Sequence, residues 1–333
     1  MNHFSKIGVI GAGAFGTALA IAINQADRRL VLWARKPAAA MAIKERRENS
    51  ARLPGIAIPT DIDVTSDPDR LADCDLALYV GPAQEFAKVL PDWHKGLAPE
   101  ALLVIAAKGI DQQSGDLLTT IATRLAPERS LAVLSGPSFA KDIANGLPTA
   151  LTLACADQRL GEKICQSIGS RTLRPYWSED IVGTQVGGAL KNVIAIACGI
   201  VHGKGLGESA RTALMTRGLA ELARLTGALD GDPKTLMGLS GIGDLSLSCN
   251  SLQSRNMSFG NALGQGRTVQ DILESRSAVT EGVMTTKAVH ELAIKIGLEM
   301  PITAAVHAVI HEGKPLDATI DQLLARPYKK ETS

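Results

Sequence analysis

Aromatic side chains are scarce. Five Phe, three Trp and three Tyr make up 3% of 333 residues. Proteins that stack nucleic-acid bases interleave aromatic with basic residues, and no such stretch occurs here. Charge of one sign is also missing: 35 Lys and Arg against 34 Asp and Glu leave +1, so no field draws nucleic acid or an anionic membrane. Cysteine is limited to five, at positions 74, 155, 165, 198 and 249. The count is odd and no pair has Cys-x-x-Cys spacing. They read as reduced, half-buried thiols of a cytoplasmic protein, with neither a disulfide nor a zinc framework. The six histidines are scattered. His307 and His311 are four apart and can share a helix face, but no HExxH motif or carboxylate cluster joins them, and no metal site is expected. No run reads as a confident membrane span, so stable insertion is not expected. Ile7 to Ile23 resembles a signal-peptide core, yet its glycines, its early start and the lack of a cleavage region after Asn24-Gln25 argue against export.

What is present is a large interior: 45% hydrophobic and 21% charged residues, over a length that exceeds one ordinary core. Ile7–Ile10, Leu30–Trp33, Leu76–Val80, Leu102–Ile105 and Leu131–Leu134 are continuous apolar runs, as buried parallel strands require. Helical stretches at Thr17–Ala26, Ala83–Leu90 and Leu117–Leu125 lie between them. This rhythm predicts an α/β fold, a Rossmann-type doubly wound parallel sheet. Thr149–Cys155 and Arg171–Arg174 look like further strands. Beyond about residue 180 the patterns are helical, at 181–199, 209–226, 269–273, 285–296 and 304–311. Two domains are expected, a dinucleotide-binding one over 1–185 and an all-helical substrate and catalytic one over 186–333.

Directly after the first strand stands Gly11-Ala-Gly-Ala-Phe-Gly16, opening a helix. A lone GxGxxG is weak; in this strand-to-helix context it reads as a dinucleotide loop. Gly11 permits the turn, Gly13 lets backbone approach a pyrophosphate, and Gly16 lets the helix pack against the strand. The phosphates would sit on the helix N-terminus. A glycine-rich turn without ligand is the plain alternative. After the second strand comes Trp33-Ala34-Arg35-Lys36, with no Asp or Glu to take a ribose 2′-hydroxyl. Arg35 suits a 2′-phosphate, which favours NADP(H) without excluding NAD(H); it also reads as an ordinary solvated charge.

In the second half, Lys191 and Asn192 are the only polar side chains in Val186–Val201, a proline-free run of helical length. An ammonium among apolar side chains loses hydration and releases its proton nearer neutrality, as a proton donor needs. The other reading is a lysine that snorkels out of a core helix. Gly238-Leu-Ser-Gly-Ile-Gly-Asp244 is a flexible loop ending in a carboxylate. Ser254 reads as the N-cap of a helix containing Phe259, with Arg255 facing an anion at its start or simply solvated. Lys108-Gly109 and Ser135-Gly-Pro-Ser138-Phe-Ala140 follow strands, at the edge where doubly wound sheets bind ligands.

Taken together, these residues resemble the bacterial NAD(P)-dependent glycerol-3-phosphate dehydrogenases. The likeness is carried by Gly11–Ala20, Lys108-Gly109, Ser135–Lys141, Gly187–Ala195, Arg211–Gly218, Gly241–Leu245 and Gln253–Asn256, in the family's order across nearly the whole chain. The run around Lys191 and the Ser-Arg-Asn motif are more specific than the glycine loop. The resemblance implies reversible reduction of dihydroxyacetone phosphate to sn-glycerol 3-phosphate, the glycerophospholipid backbone. It implies Lys191 as proton donor and acceptor. Substrate-binding positions would be Lys108, Gly136, Ser138, Lys191, Asp244, Ser254, Arg255 and Asn256. Beside Gly11, Gly13, Ala14 and Gly16, the cofactor would touch Phe15, Arg35, Lys108, Ala140, Arg255, Val279 and Glu281. A cytoplasmic homodimer is expected, although the sequence does not fix the assembly. Two positions depart from the family: Ala14 stands where serine is common, and Gly81-Pro82-Ala83 replaces Val-Pro-Ser. The nearest rival is a β-hydroxyacid dehydrogenase with a Lys–Asn pair; a cofactor-sensing scaffold without turnover is the rival from another class.

Overall fold

The computed structural model describes residues 3–24, 29–275, 280–328 and 330. Its strands are β1 (Lys6–Ile10), β2 (Arg29–Trp33), β3 (Glu48–Asn49), β4 (Leu53–Ala57), β5 (Asp63–Thr65), β6 (Leu76–Tyr79), β7 (Leu102–Ile105), β8 (Leu131–Ser135), β9 (Thr149–Ala154) and β10 (Leu173–Ser178). The helices of the first half are α1 (Ala14–Asn24), α2 (Pro37–Arg46), α3 (Phe86–Trp93), α4 (Leu118–Leu125), α5 (Ala140–Ala144) and α6 (Gln158–Ile168). The second half holds α7 (Ile181–Gly203), α8 (Glu208–Ala228), α9 (Asp244–Cys249), α10 (Arg255–Gly264), α11 (Val269–Glu274), α12 (Glu281–Lys295), α13 (Pro301–His311) and α14 (Leu316–Leu324).

Eight strands form one sheet in the order β10-β9-β8-β7-β6-β1-β2-β5, and β3 pairs with β4 in a separate hairpin. All neighbours in the large sheet run parallel except β8 and β9, which are antiparallel. That pair corrects the all-parallel expectation. A strand's apolar run carries no mark of its direction, so the reversal was not legible. Successive residues feed opposite faces, as a period of two demands. In β6, Leu76 and Leu78 join a core with α1, α5 and α6, whereas Ala77 and Tyr79 join one with α3 and α4. Helices therefore cover both faces, and the sheet is doubly wound.

A third core surrounds α7. Residue 185, where the sequence reading divides the chain, lies inside α7; the change from strand to helix comes between Ser178 and Ile181. The halves interlock. Ile110 packs into the helical core, and the Gln185 amide bonds Thr119 of α4 through both its ends. The 23-residue α7 holds an 18-residue stretch of mean hydropathy 1.4 and is long and apolar enough to cross a bilayer, which corrects the sequence reading that no stretch is; 78% of that stretch is buried inside the protein. His307 has neighbours that the sequence did not show, His290 and Glu312, with Glu312 Oε1 3.2 Å from His307 Nδ1; His311 instead places its Nε2 2.9 Å from Val283 O. The His290 and His307 rings stack with centroids 4.0 Å apart and planes 24° from parallel, so their faces meet rather than their nitrogen lone pairs.

Candidate active site

The first residues of the site are set by a close approach of backbones. Gly11 has φ +119°, and a Cβ on Gly16 would lie 1.9 Å from Gly11 O. Only glycine lets β1 turn directly into α1 here. A Cβ on Gly13 would meet nothing within 4 Å. The N-terminus of α1, with Ala14 as its first residue, thus opens onto space that suits a pyrophosphate. Ala14 has no hydroxyl to add, so the loop offers backbone N–H groups alone. The other departure has a packing reason: a Cβ on Gly81 would lie 2.6 Å from the Tyr79 hydroxyl, which donates to Pro82 O at 2.8 Å. Valine at 81 and this tyrosine conformation exclude each other. Arg35 follows the end of β2 as expected, but its Nη1 lies 2.5 Å from Glu85 Oε2. That partner was not anticipated, and the guanidinium holds the Glu85 carboxyl below its ordinary value.

Lys108 follows β7, and its Nζ donates to Gly136 O at 2.9 Å and to Asp244 Oδ2 at 2.6 Å. Lys191 projects from the middle of α7 and donates to Asp244 Oδ1 at 2.8 Å and Ser248 Oγ at 2.7 Å. One carboxylate, 1% exposed, thus holds two ammonium groups, one per oxygen. Asp244 is the first residue of α9, where the helix dipole favours negative charge. Small residues make this convergence possible. A Cβ on Gly187 would lie 2.4 Å from Ser240 O, and one on Gly188 2.5 Å from Ser135 Oγ. The two glycines let the loop leading to Asp244 and the end of β8 close on α7 from two sides. Burial pushes the Lys108 ammonium below its ordinary value, with Lys191 adding to the shift and Asp244 opposing it.

The remaining expected residues surround this trio. Gly136 has φ +142°, and a Cβ there would crowd Leu151; the Ser138 hydroxyl donates to Gly136 O at 3.0 Å. Phe15 brings the glycine loop to the cluster, with Lys108 Nζ 5.8 Å from its ring centroid. Ala140 starts α5, which follows the β8 loop. Glu281 starts α12, and burial raises its carboxyl above the usual value, opposed by Arg255, Lys191 and Lys108. Ser254 caps α10 by accepting from Met257 N at 3.3 Å, and Arg255 and Asn256 form the first turn. The Asn256 side chain is spent on the fold: it donates to Asn192 Oδ1 at 2.8 Å and accepts from Gly282 N at 3.0 Å. Its backbone N–H, at the helix start, is the group left for an anion. Val279 lies outside the described residues. Ser248 was missed by sequence reasoning, although it stands four residues after Asp244 on one helix face, the spacing that puts side chains together.

Three cations, Lys108, Lys191 and Arg255, therefore meet two carboxylates, Asp244 and Glu281, beside a glycine-loop helix start. Two family models cover this arrangement. NAD-dependent glycerol-3-phosphate dehydrogenase N-terminus matches residues 6–161, and the C-terminus of the same family matches 180–321. The chain belongs to the NAD-dependent glycerol-3-phosphate dehydrogenases. Glycerol-3-phosphate dehydrogenase [NAD(P)+] of Rhodospirillum rubrum is 50% identical over 337 residues, with 99% of this chain and 95% of the relative covered. The Parvibaculum lavamentivorans protein of the same name is 48% identical over 329 residues, covering 99% of each. In three dimensions, glycerol-3-phosphate dehydrogenase from Coxiella burnetii aligns with TM-score 0.93 at 33% identity, covering 97% of this chain and 99% of that one. The chain is accordingly an oxidoreductase using NAD or NADP, and it interconverts dihydroxyacetone phosphate and sn-glycerol 3-phosphate.

Proposed function

We propose that Lys191 is the proton donor and acceptor of this reaction, with Lys108 and Ser248 fixing the reacting oxygen, and that NADPH is preferred over NADH. The observation that carries the reading is the Asp244 carboxylate shared between two buried ammonium groups. When bound, the cofactor supplies the hydride. The chain's task is to meet the negative charge that then develops on the carbonyl oxygen. Fixed donors act strongly at such a point in a water-poor cleft, because they need no reorganisation. Lys191 is aimed by Asp244 and Ser248, so its remaining N–H can face the substrate. Lys108 is aimed by Gly136 O and the other oxygen of Asp244. Burial lowers its pKa below that of an ordinary lysine, which strengthens its hydrogen bond to the developing charge.

The balance of the five charged groups is +1, and more positive wherever Glu281 is protonated. That suits a phosphorylated substrate. The first turn of α10, with Arg255 and the backbone N–H groups beside Ser254 and Asn256, is the phosphate seat. Binding energy gathered there orients C2 at the lysines. Gly136 and Ser138 line the same edge. Phe15, Ala140, Arg35, Glu281 and Val279 are assigned to the cofactor, with Arg35 exchanging Glu85 for a 2′-phosphate. The division into a dinucleotide domain and a helical catalytic domain belongs to this reading. So do the cytoplasm as the place of action, supported by five free cysteines, and a homodimer, supported by the exposed Leu206, Met237 and Leu252 of the helical half.

Lys191→Ala is the decisive experiment. Turnover of dihydroxyacetone phosphate, read from NADPH oxidation, should fall by about 10²–10⁴-fold while cofactor binding persists. Near-normal turnover removes the assignment.

A further inference from the structure

The hairpin of β3 and β4 lies between α2 and β5 and has no part in the large sheet. Leu53 of β4 packs into the core beneath α1, which fixes the hairpin against the dinucleotide half. Directly opposite Leu53 is Asn49, only 3% exposed. Its Nδ2 donates to Ala12 O at 3.1 Å and to Thr17 Oγ1 at 2.9 Å. One hydrogen thus goes to the middle of the glycine loop and the other to the first turn of α1.

The first of these bonds has a geometric consequence. In a trans peptide the C=O and the following N–H point in opposite directions. A side chain that holds Ala12 O on the hairpin side turns the N–H of Gly13 away from it. That is the residue whose Cβ position faces open space at the mouth of α1. The loop itself has no side chain to set this peptide plane, since Ala12 and Ala14 offer none that hydrogen-bonds. We propose that Asn49 is a positioning residue for the cofactor, orienting the Ala12–Gly13 peptide so that the Gly13 N–H faces the pyrophosphate. Thr17 is the second anchor, keeping the amide of Asn49 in place.

The inference rests on cofactor binding at the glycine loop, and the test separates the two. Dissociation constants for NADH and NADPH are measured by fluorescence on the full-length protein, together with kcat and the KM for dihydroxyacetone phosphate. Wild type that binds neither nucleotide removes the cofactor site itself. Given wild-type binding, Asn49→Ala should weaken both nucleotides by about tenfold, the effect expected from two lost hydrogen bonds. At saturating cofactor, kcat and the substrate KM should stay within about twofold, because no donor at the carbonyl has moved. Asn49→Asp should weaken binding at least as much, since a carboxylate cannot donate to Ala12 O. Thr17→Val should show a smaller loss and Thr17→Ser should restore it.

A merely structural residue would lower the melting temperature and leave the nucleotide constants of the folded protein unchanged. That result in Asn49→Ala overturns the proposal, as does a parallel fall of kcat and nucleotide affinity. Should Asn49→Ala not fold, equal nucleotide affinities in Thr17→Val and Thr17→Ser overturn it.

Discussion

At the glycine loop the groups proposed to face a ligand are backbone amides, in a loop held by the close approach of Gly16 to Gly11 and by bonds from Asn49. At Asp244 they are charged side chains from three separate stretches, held by one another. The first site is assembled mostly from neighbours in sequence. The second joins residues 108, 191 and 244 and exists only when the helical half has packed on the sheet. A site of the first kind tolerates changes in side-chain charge and fails when volume is added. A site of the second kind behaves in the opposite way.

After Lys191→Ala, the largest expected effect tests the second half of that contrast. Asp244→Asn keeps the volume and removes the charge, so turnover should fall on the order of 10²-fold, through loss of aim on both lysines. The pH profile should move as well. Lys108 shares the developing charge as ammonium, so activity in reduction falls as pH rises through the Lys108 pKa. Asp244 opposes the downward push of burial on Lys108. Without it that pKa drops further, and the alkaline limb of kcat/KM shifts to lower pH. A limb that stays in place or moves up contradicts the charge pairing.

Gly16→Ala tests the first half by adding volume without charge. Its Cβ would collide with Gly11 O, and we expect a loss of about 1–3 kcal/mol of stability together with a raised KM for either nucleotide. Thermal unfolding and cofactor titration read both; an unaltered nucleotide KM would mean that the loop is not held by packing. Arg35→Leu is the smallest change. At a partly exposed guanidinium it should raise the KM for NADPH by about tenfold and leave that for NADH nearly constant. Equal shifts for both nucleotides would mean that Arg35 serves only Glu85.

The same contrast explains what was legible in the sequence. β1, β2, β6, β7 and β8 announce themselves by unbroken apolar runs, and α7 by its length. β3, β4 and β5 have no such run, so the hairpin carrying Asn49 went unseen. β10 was expected to end at Arg174 but continues to Ser178 through Pro175, tolerable because this is the sheet's edge. Lys191, Asp244 and Arg255 stand out as charges in unusual settings. Ser248 and Glu85 do not, since each looks like an ordinary polar residue until Lys191, 57 positions away, or Arg35, 50 positions away, arrives; Asn192 stands out in its apolar run, but its partner Asn256, 64 positions away, does not.

The packing of α7 also has a consequence in time. Gly199 and Gly203 lie against the backbone of α10, where added methyl groups would meet Met257 O at 2.1 Å and Asn261 O at 2.2 Å. Most of what covers this helix, from α8 to α13, is synthesised after it; Ile110, α4 and the end of β8 come before. A nascent chain halted soon after residue 203 presents a 23-residue segment with the hydropathy of a membrane span before most of its cover exists. Each molecule passes through that state during translation, when exposed apolar surface is open to off-pathway contacts until α8 to α13 arrive.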